Sequence, residues 1–231
     1  MLRPALNSVG TSAMYLPAHF KGEWIRHAVP LMRADPFASL ISCDDTGLPF
    51  VTHLPLQLQY EAPGQEGMNP VLLGHVARGN PHWRILQSRP QAVVTFLGAH
   101  AYLSPQVYPD LARVPTWNYL AVHCTVEATL IDEPEAKDAL LKKLIGEHEP
   151  AYAAQWRGLA PDYQRMMLSA ILGFELRVTA FECKLKLNQH RPEAHEATVK
   201  MYADGSEDQR TLADWMQRLK AEKTSGGGSA S

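Results

Sequence analysis

The chain has 231 residues, of which 45% are hydrophobic and 20% are charged, and its formal net charge at pH 7 is −2. This composition is typical of a globular protein with one large domain, or one domain with an appendage. No stretch approaches the roughly 18 apolar residues that span a bilayer, and the first twenty residues resemble no signal peptide. We therefore expect a soluble, cytoplasmic protein.

The spacing of the cysteines and the distribution of charge disfavour further classes of protein. Cys43, Cys124 and Cys183 form no CxxC pair, which disfavours a disulfide framework and a zinc ribbon. The chain has no long basic run, so any contact with nucleic acid would need a local patch.

The first half of the chain predicts one helix followed by strands. Trp24, Ala28 and Leu31 share one helical face over residues 23–33, despite Pro30. The stretches FASLISC and LPFVTHLPLQLQY, joined by DDTG, predict a β-hairpin whose prolines favour an edge strand or a bulge. A polar loop over residues 61–70 then separates this hairpin from two further strands, over residues 71–76 and 91–98.

The second half alternates long strands with helices. Alternation over residues 118–130 predicts a half-buried strand, and a helix follows from Pro134 to about Ile145, ended by Gly146 and Pro150. Residues 171–187 predict a strand whose apolar phase slips by one position, which a β-bulge near Ala180 would repair. Residues 207–222 predict an amphipathic helix, and residues 223–231 a flexible tail.

The stretch LLGHVARGNPHW, residues 72–83, is rich in polar groups behind an apolar run. His75 and His82 are seven residues apart without a nearby acidic or cysteine ligand, which disfavours a metal site. The pattern instead predicts a strand that breaks at ARGNP and a helix that begins at Pro81, capped by Asn80. Arg78, Gly79 and the free helix amides could then hold an anion, or Arg78 could form a salt bridge at the strand end.

The strands and helices together predict a closed or half-closed β-barrel with helices at its rim. No P-loop, GxGxxG, HExxH or GxSxG motif occurs in the sequence. Residues 101–119 are unusually aromatic and contain three prolines, so they predict a rigid loop that presents flat surfaces or covers the core. No residue stands out as a catalyst, because His53, His75 and Tyr102 are candidate proton donors without a partner fixed by spacing.

The sequence resembles the PaiB family of FMN-binding negative transcriptional regulators, relatives of the pyridoxamine-phosphate oxidase-like proteins. The resemblance runs from MYLPAHF at Met14 to about Leu219 and is carried by HLP, GHVARGNPHW, AYLSPQVY, VPTWNYLAVH and KLNQHRPEAHEATV. It implies a β-rich α+β fold, an FMN-binding split β-barrel with peripheral helices and a C-terminal helical segment. The implied organisation is an N-terminal extension over residues 1–13, a single domain over 14–222 and a tail over 223–231, with an origin in cloning as one alternative for the tail.

The resemblance also implies an FMN site. Arginine suits the phosphate because its fork binds oxyanions bidentately, and Arg78 takes this role with support from His75 and Asn80. The family form has Ser-Gln-Asn where this chain has Asn188, Gln189 and His190, which leaves Gln189 and Arg191 in register. The residues implied at the ring edge are Thr52, His53, Leu54, Val76 and Ala77, and those implied from a second subunit are Ser104, Trp117, Asn118, Gln189 and Arg191.

Function is predicted from the resemblance alone, because fold-level kinship does not fix function. The leading interpretation is a homodimeric regulator of transcription, with the aromatic stretch 101–119 at the dimer interface and DNA as a partner. One alternative is a flavin-dependent oxidoreductase of the split-barrel class, and another is a binding module for flavin or a small ligand without catalysis. We expect no metal cofactor and no membrane partner.

Overall fold

The computed structural model describes residues 13–59, 70–110 and 112–226. Most of the predicted N-terminal extension, the polar loop over 61–69 and the tail residues 227–231 lie outside the described residues. Within the described ranges, no helix combines the length and the apolar character that a membrane span requires.

The described strands belong to one sheet. Their bounds are β1 Phe37–Cys43, β2 Pro49–Pro55, β3 Gln57–Gln59, β4 Val71–Ala77, β5 Gln91–Leu103, β6 Thr116–Ile131 and β7 Ile171–Lys186. Among the described residues the sheet has seven strands in the order β2-β1-β5-β6-β7-β4-β3. The pairs β1 with β2, β1 with β5, β3 with β4, and β4 with β7 are antiparallel.

The predicted hairpin is confirmed. β1 and β2 pair from Phe37 opposite Pro55 to Cys43 opposite Pro49. In the turn, the Asp44 carboxylate accepts hydrogen bonds from the backbone N–H groups of Thr46 and Leu48 at 2.8 and 3.0 Å. Gly47 has a φ of +83°, which residues with a side chain rarely adopt. β2 is an edge strand of the described sheet, as its prolines predict.

Helices fill the connections between the strands. Their bounds are α1 Val29–Ala34, preceded by a π-helical turn Trp24–Ala28, then α2 His82–Ser88, α3 Pro134–His148, α4 Tyr152–Gly158, α5 Pro161–Ser169, α6 His195–Ala203 and α7 Glu207–Gly226. The sequence did not predict α4, α5 or α6. The predicted stop of α3 at Gly146 is wrong, because the helix continues to His148 and the Glu149 N–H still bonds the Ile145 carbonyl.

The aromatic stretch 101–119 is not one loop. Tyr102 lies in β5, whereas Trp117 and Tyr119 lie in β6. Alternation of polar and apolar side chains continues into both strand ends, so the sheet extends further than the prolines indicated. In β7 the buried phase changes between Val178 and Cys183, where the predicted slip occurs.

The chain divides into two compact units. Among the described residues, unit 1 contains 13–14, 32–96 and 123–181, and unit 2 contains 15–31, 97–122 and 182–226. Each unit has buried apolar side chains of its own, such as Leu40 and Phe174 in unit 1 and Leu120 and Met216 in unit 2. β5, β6 and β7 each contribute residues to both units.

Candidate functional site

The predicted site residues fall into two groups, one in each unit. The first group lies in unit 1, where the predicted Thr52, Arg78 and Asn80 form the strand-end corner together with two residues that were not predicted, His82 and Asp132. β4 ends at Ala77, a turn closed by the Asn80 N–H and the Ala77 carbonyl follows, and α2 begins at His82. The Asn80 Oδ1 accepts from the His82 backbone N–H at 3.0 Å. This asparagine therefore satisfies an amide at the helix start, as predicted.

His82 is the centre of a buried hydrogen-bond network at this corner. Its Nδ1 lies 2.8 Å from the Thr52 Oγ1, and its Nε2 lies 3.0 Å from the Ser42 Oγ. Asn80 Nδ2 also donates to Thr52 Oγ1 at 3.2 Å. The His82 side chain is fully buried, and burial lowers its pKa to about 4. A neutral imidazole has one donor and one acceptor, so the His82 ring holds Thr52 and Ser42 without carrying a charge at neutral pH.

The Arg78 guanidinium belongs to an ion-pair cluster. Its Nη2 donates to the Asp132 carboxylate, which also accepts from Lys137 Nζ at 3.0 Å. Its Nε donates to the Ser169 carbonyl at 2.9 Å. The hydrogen bond from Arg78, followed by the one from Lys137, lowers the pKa of Asp132, which is therefore ionised at neutral pH. This ion pair is the strand-end salt bridge that the sequence analysis gave as the alternative to an anion site. The role of Arg78 in binding a phosphate stays a prediction.

The other predicted residues of unit 1 differ in exposure. His53 is exposed and its Nδ1 lies 2.9 Å from Ser39 Oγ. Leu54 and Val76 are buried in the core, so only their backbones are available to a ligand at this edge. Ala77 is exposed, and the half-buried His75 has a pKa lowered by burial. Within the described ranges, no three His, Cys, Asp or Glu side chains converge as a metal-binding group.

The second group surrounds a cavity in unit 2, here named the Asn118–Asn188 cavity. Its volume is about 510 Å³, and its lining includes Asn118, Lys186, Asn188 and Arg191. This volume lies within the range of small-molecule sites in proteins. Aromatic side chains, among them Phe20 and Tyr108, line other parts of the wall.

Three residues that line the cavity carry buried polar atoms without a partner. Within the described part of the chain, Asn118 Oδ1, Asn188 Nδ2 and Arg113 Nε are buried without a hydrogen bond. Both asparagine side chains are more than nine-tenths buried. Buried polar atoms are nearly always hydrogen-bonded in folded proteins, and an unmet group has a free-energy cost. The residues that carry these three atoms line one cavity, and the atoms themselves have almost no accessible surface.

The orientation of the Asn118 amide is fixed by its neighbours. The Tyr202 hydroxyl donates to the Tyr102 carbonyl at 3.1 Å and accepts from Asn118 Nδ2 at 3.3 Å. Because the hydroxyl hydrogen is already used, Asn118 must present its NH₂ to Tyr202 and its oxygen elsewhere. Burial raises the pKa of Tyr202 to about 12, so this hydroxyl stays protonated.

The remaining predicted residues of unit 2 have local roles in the structure. The Ser104 Oγ accepts from the Gln106 N–H at 3.2 Å and caps the 3₁₀ turn Pro105–Val107. Gln189 closes its own turn, because Oε1 accepts from the Leu187 N–H and Nε2 donates to the Leu185 carbonyl. Trp117 is 52% exposed and contacts Tyr102 edge to face. The cavity therefore brings together Asn118 and Arg191 from the predicted set, while the other three lie outside its described lining.

Sequence reasoning missed four residues that the structure makes prominent. His82 was considered only as a metal ligand, and its network depends on strands distant in the chain. Asn188 is one of the two positions, with His190, where KLNQHR departs from the family form, which was a usable signal. No sequence signal marks the last two residues, Arg113 and Lys186.

Comparisons with known proteins identify the family. Residues 14–180 match the family model described as "Putative FMN-binding domain". Protease synthase and sporulation protein PAI 2 of Bacillus subtilis (strain 168) is 30% identical over 187 residues, which cover 80% of this chain and 87% of that protein. The chain belongs to the PaiB family of FMN-binding proteins. This membership confirms the predicted resemblance and the predicted cofactor, FMN.

Solved structures agree with the fold of this PaiB family member. A conserved hypothetical protein from Mycobacterium tuberculosis has a TM-score of 0.54 at 11% identity, over 78% of this chain and 94% of that one. The FAD and heme binding protein from Mycobacterium smegmatis has a TM-score of 0.51 at 21% identity, over 68% of each chain. These likenesses concern the fold alone, and the predicted α+β split-barrel class is confirmed.

The donors of both groups suit a flavin nucleotide. FMN requires a cation and N–H groups for its phosphate and a few polar groups for its ring. The corner offers Arg78 and open space beside Gly79, where an added Cβ would meet no atom within 4 Å. The cavity offers two cations, Lys186 and Arg191.

Proposed function

We propose that this protein is a homodimeric, FMN-binding negative regulator of transcription. The observation that carries the proposal is the 30% identity to PAI 2 along 87% of that relative, whose name refers to sporulation. The family resemblance supplies the regulatory role, because PaiB proteins are identified as negative regulators. A formal net charge of −2 means that any direct contact with DNA depends on a local patch.

In the proposed complex, the strand-end corner of one copy of the chain binds FMN. Arg78 binds the phosphate with Nη1, since its contacts to Asp132 and Ser169 use Nη2 and Nε. The flavin supplies a redox-active ring when it is bound. The residues proposed to support the phosphate or line the ring edge are Thr52, His53, Leu54, His75, Val76, Ala77 and Asn80.

The proposed partner is a second copy of this chain. It contributes residues of unit 2, namely Ser104, Trp117, Asn118, Gln189 and Arg191. Large side chains exposed in this unit support the assignment, since Trp117 is 52%, Tyr102 48% and Leu97 60% exposed, and buried aromatic residues are typical of interfaces. Sedimentation of the FMN-loaded protein at micromolar concentration should give a dimer, and Trp117→Ser should weaken it. A monomer that retains FMN would refute this part.

The regulatory role is tested by selection of DNA. The FMN-loaded protein is incubated with a pool of random 30-base-pair duplexes, and the bound DNA is sequenced and titrated again at increasing salt. We expect one enriched sequence whose affinity falls by several decades between about 50 and 200 mM salt if six or more phosphates are contacted. Absence of an enriched sequence contradicts direct regulation.

A parallel assay separates the regulator from an enzyme. NADH and NADPH oxidation is measured with FMN-loaded protein and with the same concentration of free FMN. For a regulator we expect equal rates. A rate far above that of free FMN, without an enriched DNA sequence, would replace the regulator with a flavin-dependent oxidoreductase.

A further inference from the structure

Another cavity of unit 2, here named the α6–α7 cavity, lies against the last two described helices. Its volume is about 410 Å³, which is within the range of small-molecule sites. Every lining residue falls between positions 187 and 223, after residue 180, where the match to the FMN-binding family model ends. Gln189 and Arg191 are the members of this lining that also belong to the predicted FMN set. The family match therefore assigns no ligand to the rest of the cavity.

The chain between β7 and α6 forms one wall of the cavity. It turns at Asn188, whose carbonyl accepts from the Arg191 N–H at 2.9 Å. The 3₁₀ turn Pro192–Ala194 then leads into α6, and the Ala194 N–H donates to the Arg191 carbonyl at 3.1 Å. These local hydrogen bonds fix the backbone that carries Arg191 and Pro192, and both of these side chains are exposed.

One side of α7 forms another wall. Glu222, which precedes the last lining residue of this helix, pairs with His27 at 2.9 Å and with Arg218 at 3.1 Å. The end of the helix is therefore anchored within unit 2. Four residues of the lining are spaced at i, i+3, i+4 and i+7 and so share one side of α7, namely Met216, Leu219, Lys220 and Lys223.

Cations exceed anions in the lining of this cavity. The cations are Arg191, Lys220 and Lys223, and the carboxylates are Glu193 and Glu196. Glu196 pairs with Lys220 at 3.7 Å, and Glu193 pairs with an arginine outside the lining at 3.5 Å. Within the described ranges, Arg191 and Lys223 form no salt bridge. Two cations of the cavity are thus available to an anionic ligand.

The half-buried His195, which also lines the cavity, is sensitive to these charges. Burial is the largest cause of its lowered pKa. The charges of Lys220 and Lys223 lower this pKa further, and the charge of Glu196 opposes them. A bound anion would offset the effect of the two lysines.

The same cavity has apolar surface. Leu219 is half-buried and Pro192 is exposed, so both have surface that a ligand can contact. The methylene chains of Lys220 and Lys223 add to this surface, since a lysine side chain is apolar along its stem. A cavity with available cations and an apolar wall suits a ligand that has a negative charge at one end and an apolar body.

We propose that the α6–α7 cavity binds a small organic anion with an apolar body, of the class of aryl-alkyl carboxylates. Lys223 and Arg191 attract the carboxylate, and Leu219 and Pro192 contact the apolar body. Because Arg191 is also proposed to contact FMN, the test uses Lys223 and Leu219. The proposal goes beyond the proposed regulatory function and requires neither FMN nor DNA.

The probe is 4-phenylbutyrate, titrated into FMN-saturated protein by ligand-observed NMR. We expect saturable binding with a Kd of about 1 mM or tighter, without displacement of FMN. The neutral 4-phenylbutyramide, which keeps the ring and loses the charge, should bind about fivefold more weakly. Butyrate, which keeps the charge and loses the ring, should also bind at least about fivefold more weakly.

Two variants locate the site. Lys223→Glu should weaken 4-phenylbutyrate about fivefold or more and leave FMN affinity unchanged. Lys21→Glu is the matched control, because it makes the same charge change at an exposed position of unit 2 outside the lining, and it should bind the probe as wild type does. Leu219→Asn should weaken 4-phenylbutyrate but not butyrate, and melting curves establish that each variant folds.

Three results would overturn the proposal. They are the absence of saturable binding, equal affinities for 4-phenylbutyrate and its amide, and equal losses of affinity in Lys223→Glu and Lys21→Glu. Displacement of FMN by the probe would place the binding elsewhere and would also overturn it. None of these results alters the dimer and DNA proposals, because those are measured separately.

Discussion

The strand-end corner and the Asn118–Asn188 cavity both contain predicted flavin-binding residues, but they satisfy their polar groups differently. At the corner, Thr52, Asn80 and His82 bond to one another, and Arg78 bonds to Asp132 and a backbone carbonyl. At the cavity, three buried polar atoms have no partner among the described residues. The polar groups of the corner thus satisfy one another, whereas residues that line the cavity carry buried polar atoms without a partner.

A stretch of sequence that is dense in polar residues is therefore distinct from a group of polar residues around a cavity. A motif such as GHVARGNPHW concentrates polar residues in the sequence, but the structure uses most of them to join a strand, a turn and a helix. The cavity is built from residues of three separate segments that no short motif unites.

The largest effect that we predict concerns His82. Its folded pKa of about 4 lies below the ordinary value of 6.5, so the unfolded chain binds more protons between these pH values. The free energy of unfolding should therefore fall as the pH falls through this window, by about 3 kcal/mol in total. Denaturant titrations of flavin-free protein at pH 7 and at pH 4 measure this loss.

Comparison with His82→Gln isolates the histidine from other acidic groups. The variant should be less stable than wild type at pH 7, because the network is altered, but its stability should fall less between pH 6.5 and 4. His53→Gln, at an exposed position, is the control and should follow wild type. Parallel curves for wild type and His82→Gln would show that the corner is not held by a neutral buried imidazole.

The next effect concerns the hydroxyl that orients Asn118. Tyr202→Phe removes a bond to Asn118 Nδ2 and a bond to the Tyr102 carbonyl, both in a buried region. We expect a loss of about 1 to 3 kcal/mol in unfolding free energy, and weaker FMN binding because the amide can rotate. Tyr163→Phe, on the exposed surface of α5, is the control. Normal FMN affinity in Tyr202→Phe would mean that the Asn118 orientation is unimportant to the ligand.

The variant Arg78→Ala tests whether the strand-end corner also binds a ligand. Arg78→Ala should weaken FMN binding about tenfold, the value of a lost charge-assisted contact, while riboflavin, which lacks the phosphate, should bind as before. The unfolding free energy should fall by less than about 1 kcal/mol, since the pair with Asp132 is half-exposed. Fluorescence titrations with both flavins measure the difference.

Asp132→Ala is the matched variant for Arg78. It breaks the same ion pair but leaves the guanidinium in place, so stability should fall while FMN affinity is retained. Because Asp132→Ala also removes the partner of the buried Lys137 ammonium, its stability should fall further than that of Arg78→Ala. If neither variant distinguishes FMN from riboflavin, Arg78 is only a strand-end salt bridge.

The same comparison explains which parts of the fold and of the site could be predicted from the sequence. Alternation and turn residues predicted the hairpin β1–β2, the strand β4 and the start of α7, because these depend on neighbours along the chain. α4 and α5 were missed, since their buried side chains, such as Trp156 and Leu168, are few. The His82 network and the three unmet atoms could not be predicted, because each joins residues that are tens of positions apart. Asn188 was marked, together with His190, by the departure from the family form.

The smallest predicted change is Gly79→Ala, which tests the corner without altering its charge. Gly79 does not have a positive φ, and an added Cβ meets nothing within 4 Å, so the unfolding free energy should stay unchanged or rise by about 0.4 to 1 kcal/mol. FMN affinity should nevertheless fall severalfold if the phosphate lies against this backbone, because the methyl group occupies that space. Gly47→Ala is the opposite control, since its φ of +83° should cost about 1 kcal/mol or more without affecting FMN. Unchanged FMN affinity in Gly79→Ala would mean that no ligand approaches the turn, and the corner would then be structural while the cavity alone contacts the flavin.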